Sequence, residues 1–237
     1  MWSGEYIVEG FKLVKEAIQE KAIIKKVVIC EEEIEKSSMN LNYLYEIAKY
    51  DCIYVNNTVF KYITDVLNPQ GILAVVEKKS KTNQIDYNQD IIIVLDGIQD
   101  PGNIGTILRT VDSVGLNQIV LSDKCADIYN PKVVRSTMGA IFRVNAIESD
   151  NLVHTLNEIK KNNFKIVSTD LKTEHNIYDI DYKNIAIVIG NEANGVSEEI
   201  LKISDTKMKI PMFGKTESLN ASVATGIILY EYVRRKL

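Results

Sequence analysis

The spacing of apolar positions changes repeatedly along the chain, and the changes separate strands from helices. "YIVEGFKLVKEAIQ" reads as a short strand and then a helix, with Phe11, Val14 and Ile18 on one face at three- and four-residue spacing. "IKKVVIC" is a strand, and "NLNYLYEIAKY" a helix with Leu41, Leu44 and Ile47 on one side. "CIYVN" is a strand, "NTVFKYITDV" a short helix and "GILAVVE" a strand. Residues 78–90, "KKSKTNQIDYNQD", are polar and follow neither period.

The alternation then resumes. "IIIVLD", "QIVLS", "KIVSTD", "IAIVIG" and "KMKIPM" read as strands. "NIGTILRTVDSV", "NLVHTLNEIKKNN", "SEEILKIS" and "NASVATGIILYEYVRRK" read as helices, and "PKVVRSTMGAI" as a short helix before "FRVNAI". Continuously apolar strands alternating with helices predict a parallel sheet covered on both faces. The predicted organisation is an α/β unit over 1–80, a linker over 81–90 and a larger α/β unit over 91–237.

Composition narrows the class. The chain has 237 residues, 46% hydrophobic and 25% charged, ordinary values for a soluble globular protein. No apolar run approaches the ~18 residues of a membrane span, so no membrane partner is expected. "MWSGEYIVEG" lacks the basic-then-apolar order of a signal peptide. Cys30, Cys52 and Cys125 are far apart, without a C-x-x-C, which argues against a disulfide framework and a zinc site. A reduced, cytoplasmic protein without a metal is the expectation. The net charge of −4 argues against a nucleic-acid partner, but "KKSK" at 78–81, Lys132, Arg135, Arg143 and the terminal "RRK" form local basic clusters that can hold phosphates.

Ligands of open α/β sheets bind beyond the carboxyl ends of the strands, and three loops there stand out. In "LDGIQDPGNIGTILRTVDSVG", residues 95–115, Pro101 and Gly102 predict a tight turn and Asn103 an N-cap. Ile104, Ile107, Leu108, Val111 and Val114 form the helix's apolar stripe, and Arg109 points away from it. Periodicity alone favours a solvated arginine. "IAIVIGNEANGVSEEI", residues 185–200, places Glu192 in a glycine-bounded loop whose backbone a ligand can approach closely. Taken alone, it is an ordinary strand–turn–helix with a solvated glutamate. "IPMFGKTESLNASVATGIILYEY" puts Ser218 and Asn220, either a possible N-cap, before Ala221, Ser222, Ala224, Thr225 and Gly226. Such a run of small residues forfeits packing and predicts a close approach by ligand or backbone.

Together the three segments resemble the signature motifs of the SpoU/TrmH family of SPOUT RNA methyltransferases. "DPGNIGTILRT", "IGNEANGVS" and "IPMFGKTESLNASVATGIILYE" stand in that family's order and spacing. Ala221 stands where Val is common and Thr225 where a small apolar residue is common; neither departure removes a functional group. The resemblance covers 91–237. Over 1–80, "YIVEGFKLVKEAI" and "GILAVV" resemble the ribosomal-protein-like substrate-binding domain of the ribosomal-RNA branch. Members of that branch often begin with a longer basic leader, which this chain lacks; a trimmed chain and a variant with weaker RNA contacts both fit.

The resemblance implies an α/β fold with a SPOUT-type parallel sheet and a C-terminal trefoil knot, a fold otherwise nearly absent from proteins. It implies a homodimer that binds S-adenosylmethionine, releases S-adenosylhomocysteine and uses no metal. Thr169, Gly190, Asn191, Gly195, Ile210, Pro211, Met212, Leu219 and Ala224 would hold the cofactor. Asn103, Arg109, Glu192, Ser218 and Asn220 would form the catalytic group, with Glu192 and Asn220 positioning Arg109 and the substrate, and Asn130 and Arg135 would contact RNA. The implied reaction is methyl transfer to a ribose 2′-hydroxyl of RNA, in first place large-subunit rRNA. Transfer to tRNA, or an RNA-binding protein without catalysis, are the alternatives. A dehydrogenase is disfavoured because no G-x-G-x-x-G is present. His154 and His175 lie outside the motifs and read as surface or cap residues.

Overall fold

The computed structural model describes residues 4–35, 45–79 and 84–237. A four-stranded sheet, ordered β1-β4-β2-β3, comes first in the chain: β1 Glu5–Glu9, β2 Ile24–Ile29, β3 Cys52–Tyr54 and β4 Ile72–Glu77. β4 is antiparallel to β1 and β2, and β3 joins β2 in parallel. Helix α1 (Phe11–Gln19) buries Leu13, Val14 and Ala17. A single turn, α2 (Glu31–Ile34), follows β2. Helix α3 (Asn57–Ile63) buries Phe60 with Val28, Cys30 and Leu73. Of the helix expected over residues 40–50, residues 45–47 are helical, while Leu41 and Leu44 lie outside the described residues.

The second sheet has six parallel strands in the order β10-β8-β9-β5-β6-β7. They are β5 Ile91–Asp96, β6 Gln118–Ser122, β7 Asn145–Ser149, β8 Lys165–Thr169, β9 Ile185–Gly190 and β10 Thr206–Met208. β5 and β9 are central and buried on both faces, which explains their unbroken apolar sequences. Their register pairs Asp96 with Gly190. The first two of the three loops marked in the sequence therefore leave the sheet side by side. The covering helices are α4 (Pro101–Ser113), α5 (Pro131–Thr137), α6 (Leu152–Lys161), α7 (Glu198–Ile203) and α8 (Ala221–Lys236).

Three local expectations are corrected. Asp100, not Asn103, caps α4: its carboxylate accepts the Asn103 N–H at 2.9 Å. Pro101 and Gly102 are consequently the first helical residues and not a turn, because proline's fixed φ suits the first helical position. The strand expected over "KMKIPM" ends at Met208, so Ile210, Pro211 and Met212 lie in a loop. Pro211 has no N–H to donate to a ladder.

The two sheets share a packed junction. Val134, Ile141 and Phe142 of the second unit belong to the first unit's core. The Tyr6 and Tyr129 rings lie 4.7 Å apart. Arg143, expected in a free basic cluster, is held by Asp112, Glu16 and Glu20. Residues 84–90, within the expected linker, lie against the second unit: the Asp86 N–H donates to Gln118 Oε1 at 2.9 Å, and Tyr87 packs on Phe164. The terminal basic run is also occupied, since Arg234 and Arg235 bond Glu231 and Lys236 meets Asp90. Among the described residues no helix is long and apolar enough to cross a membrane.

Candidate active site

The site begins where β5 and β9 end. Asp96, buried as the last residue of β5, accepts the Ser197 N–H at 2.7 Å and closes the loop after β9. Inside that loop Asn191 and Gly195 pair through their backbones, and the Asn191 amide donates to the Gly97 carbonyl at 2.7 Å. Gly190 admits no side chain: a Cβ there would lie 2.1 Å from backbone atoms of Gly195 and Val196. The sequence suggests approach by a ligand; what comes against Gly190 here is the loop's own backbone, and only glycine leaves room for it.

Folding the loop this way presents Glu192 to the start of α4. Its carboxylate accepts from the Asn103 side chain at 2.8 Å and from the backbone amides of Gln99 and Asp100, each at 3.3 Å. Burial pushes its carboxyl up, but the Asn103 amide and the backbone amides of Glu192, Gln99 and Asp100 outweigh it. Glu192 consequently sits below the usual carboxylate range. Asn103 is itself buried and turns its carbonyl toward Asn220, whose amide donates to it at 2.9 Å. Asn220 also caps α8, accepting from the Ser222 and Val223 backbone. A single path of side-chain hydrogen bonds thus runs Asn220–Asn103–Glu192 and joins all three motif segments.

Arg109 lies on the exposed face of α4 and makes no hydrogen bond or ion pair among the described residues. Glu192 and Asn220, expected to position it, bond Asn103. Asn130 caps α5 through its bond from the Lys132 N–H, at 2.9 Å, and Arg135 follows on the same helix, half-buried.

Beside the path opens a cleft of about 410 Å³. Thr169, Gly190, Asn191, Gly195, Ile210, Met212, Leu219 and Ala224 line it, together with Glu192 and Ser218. Pro211 is the one expected cofactor residue off its wall. Sequence reasoning passed over Asp170, Lys209 and Glu217, which also line it; they are polar residues in loops and carry no periodic signal. Asp96 had a readable signal, the first polar residue after five apolar ones at a central strand's carboxyl end. The small residues of α8 divide by role. Ala221 and Ala224 leave room for the cleft, whereas a Cβ on Gly226 would meet nothing within 4 Å. Backbone crowding is found at Gly190 and at Gly105, whose Cβ would lie 2.4 Å from the Ser136 side chain.

Residues 90–230 match the SpoU rRNA Methylase family, and residues 2–74 the MRM3-like substrate binding domain. The chain belongs to the SpoU rRNA methylase family. It is 31% identical over 232 residues, 96% of this chain and 88% of the other, to the Bacillus subtilis 23S rRNA (guanosine(2553)-2′-O)-methyltransferase RlmP. The SpoU methyltransferase AviRb of Streptomyces viridochromogenes, solved in complex with AdoMet, superposes with a TM-score of 0.87 at 25% identity. That match covers 99% of this chain and 91% of that one. The A. aeolicus TrmH/SpoU tRNA modifying enzyme is 39% identical, but over 64% of this chain and 78% of its own, with a TM-score of 0.56. The protein is an S-adenosylmethionine-dependent RNA 2′-O-methyltransferase.

The cleft fits that cofactor. Its volume lies in the ~300–1,000 Å³ range of small-molecule sites. Ile189, Ile210 and Leu219 offer apolar surface for a base, and the carboxylates of Glu192 and Glu217 suit a cationic sulfonium or ammonium, whereas Asp170 on the same wall is paired with Lys207. Among the described residues no group of His, Cys, Asp or Glu is placed to hold a metal.

Proposed function

We propose that the protein methylates a ribose of large-subunit ribosomal RNA, using Asn103, Arg109, Glu192, Ser218 and Asn220. The observation that carries this reading is the Asn220–Asn103–Glu192 path, which borders the cleft and the exposed face of α4. Thr169, Gly190, Asn191, Gly195, Ile210, Met212, Leu219 and Ala224 hold the cofactor, and Pro211 shapes the loop between two of them. When bound, S-adenosylmethionine supplies the methyl group, carried on a sulfonium.

The residues divide the remaining work. The ribose oxygen must attack the methyl carbon in line with the carbon–sulfur bond being broken, while its proton passes to solvent water. The Arg109 guanidinium offers N–H donors in a planar fork and no acceptor; that fork suits the charge growing on the ribose oxygen or the neighbouring phosphate. Glu192 is held as a carboxylate and keeps the Asn103 amide turned toward it. Asn103 thereby fixes Asn220, and Asn220 fixes the start of α8 beside Ser218. Asn130 and Arg135 contact the RNA from α5.

Ribosomal RNA is favoured because the likeness to the 23S rRNA enzyme runs through the first unit as well as the second. The 39% identity of the tRNA-modifying enzyme over the catalytic unit supports tRNA as the second reading. We also assign a homodimer in the cytoplasm and a knotted chain between β8 and α8. Val223, Ile227 and Tyr230 form an exposed apolar stripe at helical spacing, with Gly226 open beside it. A second copy covering this stripe explains why it is apolar. Light scattering on Ile227→Lys should report a monomer; an unchanged dimer, or a wild-type monomer, rejects the interface.

The deciding experiment gives the protein radiolabelled S-adenosylmethionine with unmodified transcripts of 23S rRNA and tRNA. The expected result is label on one 23S ribose, located by resistance of that linkage to alkaline cleavage. Label confined to tRNA supports the second reading, and label on a base overturns both.

A further inference from the structure

The basic residues marked by the sequence are mostly occupied. Arg143, Arg234, Arg235 and Lys236 are all bound to carboxylates. Lys79 donates to the Phe142 carbonyl at 2.7 Å. Of that marked set Lys132 stands close to the catalytic group in an exposed pair only, and Lys124, which the sequence did not mark, stands near it.

Two lysines stand there, on either side of the Gln99–Asp100 turn whose amides hold Glu192. Lys124, in the turn after β6, comes beside Gly97: an ideal Cβ on Gly97 would lie 3.7 Å from Lys124 Cβ and 3.9 Å from Asn191 Cβ. Lys124 is exposed and has no ion pair among the described residues. Lys132, in the first turn of α5, comes beside Gly102, whose Cβ would lie 4.0 Å from Lys132 Cε. Its ammonium is 3.7 Å from Asp100, with the two side chains 60% and 50% exposed. Such an exposed pair is worth little and releases its lysine readily.

The placement of Lys132 is rigidly determined. Gly105 lets α4 and α5 touch, since any Cβ there would lie 2.7 Å from the Val133 carbonyl and 2.4 Å from Ser136 Cβ. Lys132 belongs to the same turn as Val133. The helix that carries Asn103 and Arg109 and the helix that carries Lys132 are thus locked at contact distance.

We propose that Lys124 and Lys132 grip the RNA backbone phosphates on the two sides of the target ribose, flanking the Gln99–Asp100 segment whose amides hold Glu192. This rests on the RNA-methyltransferase reading above. The chemistry recognised is the phosphodiester of a single strand, which carries no sequence information and sets position. A lysine serves as a mobile point charge there, leaving the planar fork of Arg109 for the reacting centre.

The test measures binding of an unmodified 23S rRNA transcript against potassium chloride concentration. It compares wild type, Lys124→Gln, Lys132→Gln, the double variant and a control, Lys183→Gln, at the opposite end of the sheet. Each phosphate contact contributes about 0.7–0.9 to the slope of log affinity against log salt. Each single variant should lower the slope by about one, and the double by about two. The KM for RNA should rise several-fold to about tenfold, with turnover at saturating RNA and cofactor affinity unchanged. The control should leave every value where it was. If wild type methylates the transcript but the double variant keeps the wild-type slope, the phosphate contacts are overturned and the function stands. A wild type that neither binds nor methylates RNA overturns the function itself.

Discussion

Arg143 Nη1 meets Glu16 Oε2 at 2.6 Å across the junction of the two sheets, although 127 residues separate them. The same guanidinium bonds Glu20 at 3.2 Å and both oxygens of Asp112, with Nε 3.1 Å from each. Three carboxylates from two units therefore converge on one cation. Gly139, at φ +101°, belongs to this joint, because a Cβ there would come within 2.8 Å of the Glu16 carboxylate. Charge-assisted bonds of this kind are strong, and removing the shared cation leaves three like charges facing one another.

Arg143→Met should accordingly lower stability by about 1–3 kcal/mol. Arg143→Lys should recover part of it, since one ammonium cannot reproduce the fork. Denaturant titration measures this. A midpoint unchanged in Arg143→Met would show that the junction rests on its apolar contacts alone.

Asn103 is the hub of the catalytic path, and its two bonds use opposite ends of one amide. Asn103→Ala should cut turnover by about a hundredfold or more, a typical cost of losing one oriented polar group at a reacting centre. Cofactor affinity should stay within roughly threefold, because Asn103 does not line the cleft. Asn103→Asp should be no better: it keeps the shape but sets a second carboxylate against Glu192. Single-turnover assays and calorimetry separate the two quantities, and near-normal turnover in Asn103→Ala would remove the path from the mechanism.

The strands and helices of the second unit were readable because burial on both faces leaves an unbroken apolar signature, as in β5 and β9. The cleft was readable because its residues sit in loops beyond those strands, where motif resemblance could be carried over position by position. What escaped was everything decided by distant partners. Arg143 read as a free cation because Glu16 and Glu20 lie more than a hundred residues away. Asn103 read as a cap because Asp100 and Asn103 are equally good capping residues, and only the backbone selects between them.

Glu231 offers a test by pH. Its side chain is 5% exposed, and hydrogen bonds from Arg234 and Arg235 hold it at about 2 against an ordinary 4.5. Arg235 in turn donates to the carbonyls of Ile180 and Tyr178, so the carboxylate anchors the end of α8. The folded pKa is depressed, so its contribution is complete above about 4.5 and is lost as pH falls from there toward about 2. Glu231→Gln should therefore be less stable than wild type by a constant amount, about 1–3 kcal/mol, from pH 5 to 8. The deficit should shrink below pH 4.5. A deficit that persists undiminished to pH 3 would assign the loss to packing and not to charge.

Arg109 decides between the bland and the functional reading of its helix. It lies off the buried face of α4, where Ile104, Ile107, Leu108 and Val111 pack, so replacing it opens no cavity. Arg109→Ala should then leave the melting temperature within about a degree or two of wild type, as a surface substitution does. It should also leave cofactor affinity intact, since Arg109 is not on the cleft wall. Turnover should fall by at least about a hundredfold, because a group that stabilises charge only as it develops is lost from the transition state and not from the ground state. Arg109→Lys sharpens the result. A guanidinium that bridges the ribose oxygen and a phosphate acts through its planar fork, and lysine should then be nearly as poor as alanine. A guanidinium that acts only as a nearby charge would be largely replaced by lysine. Wild-type turnover in Arg109→Ala would return Arg109 to the solvated arginine that periodicity alone describes.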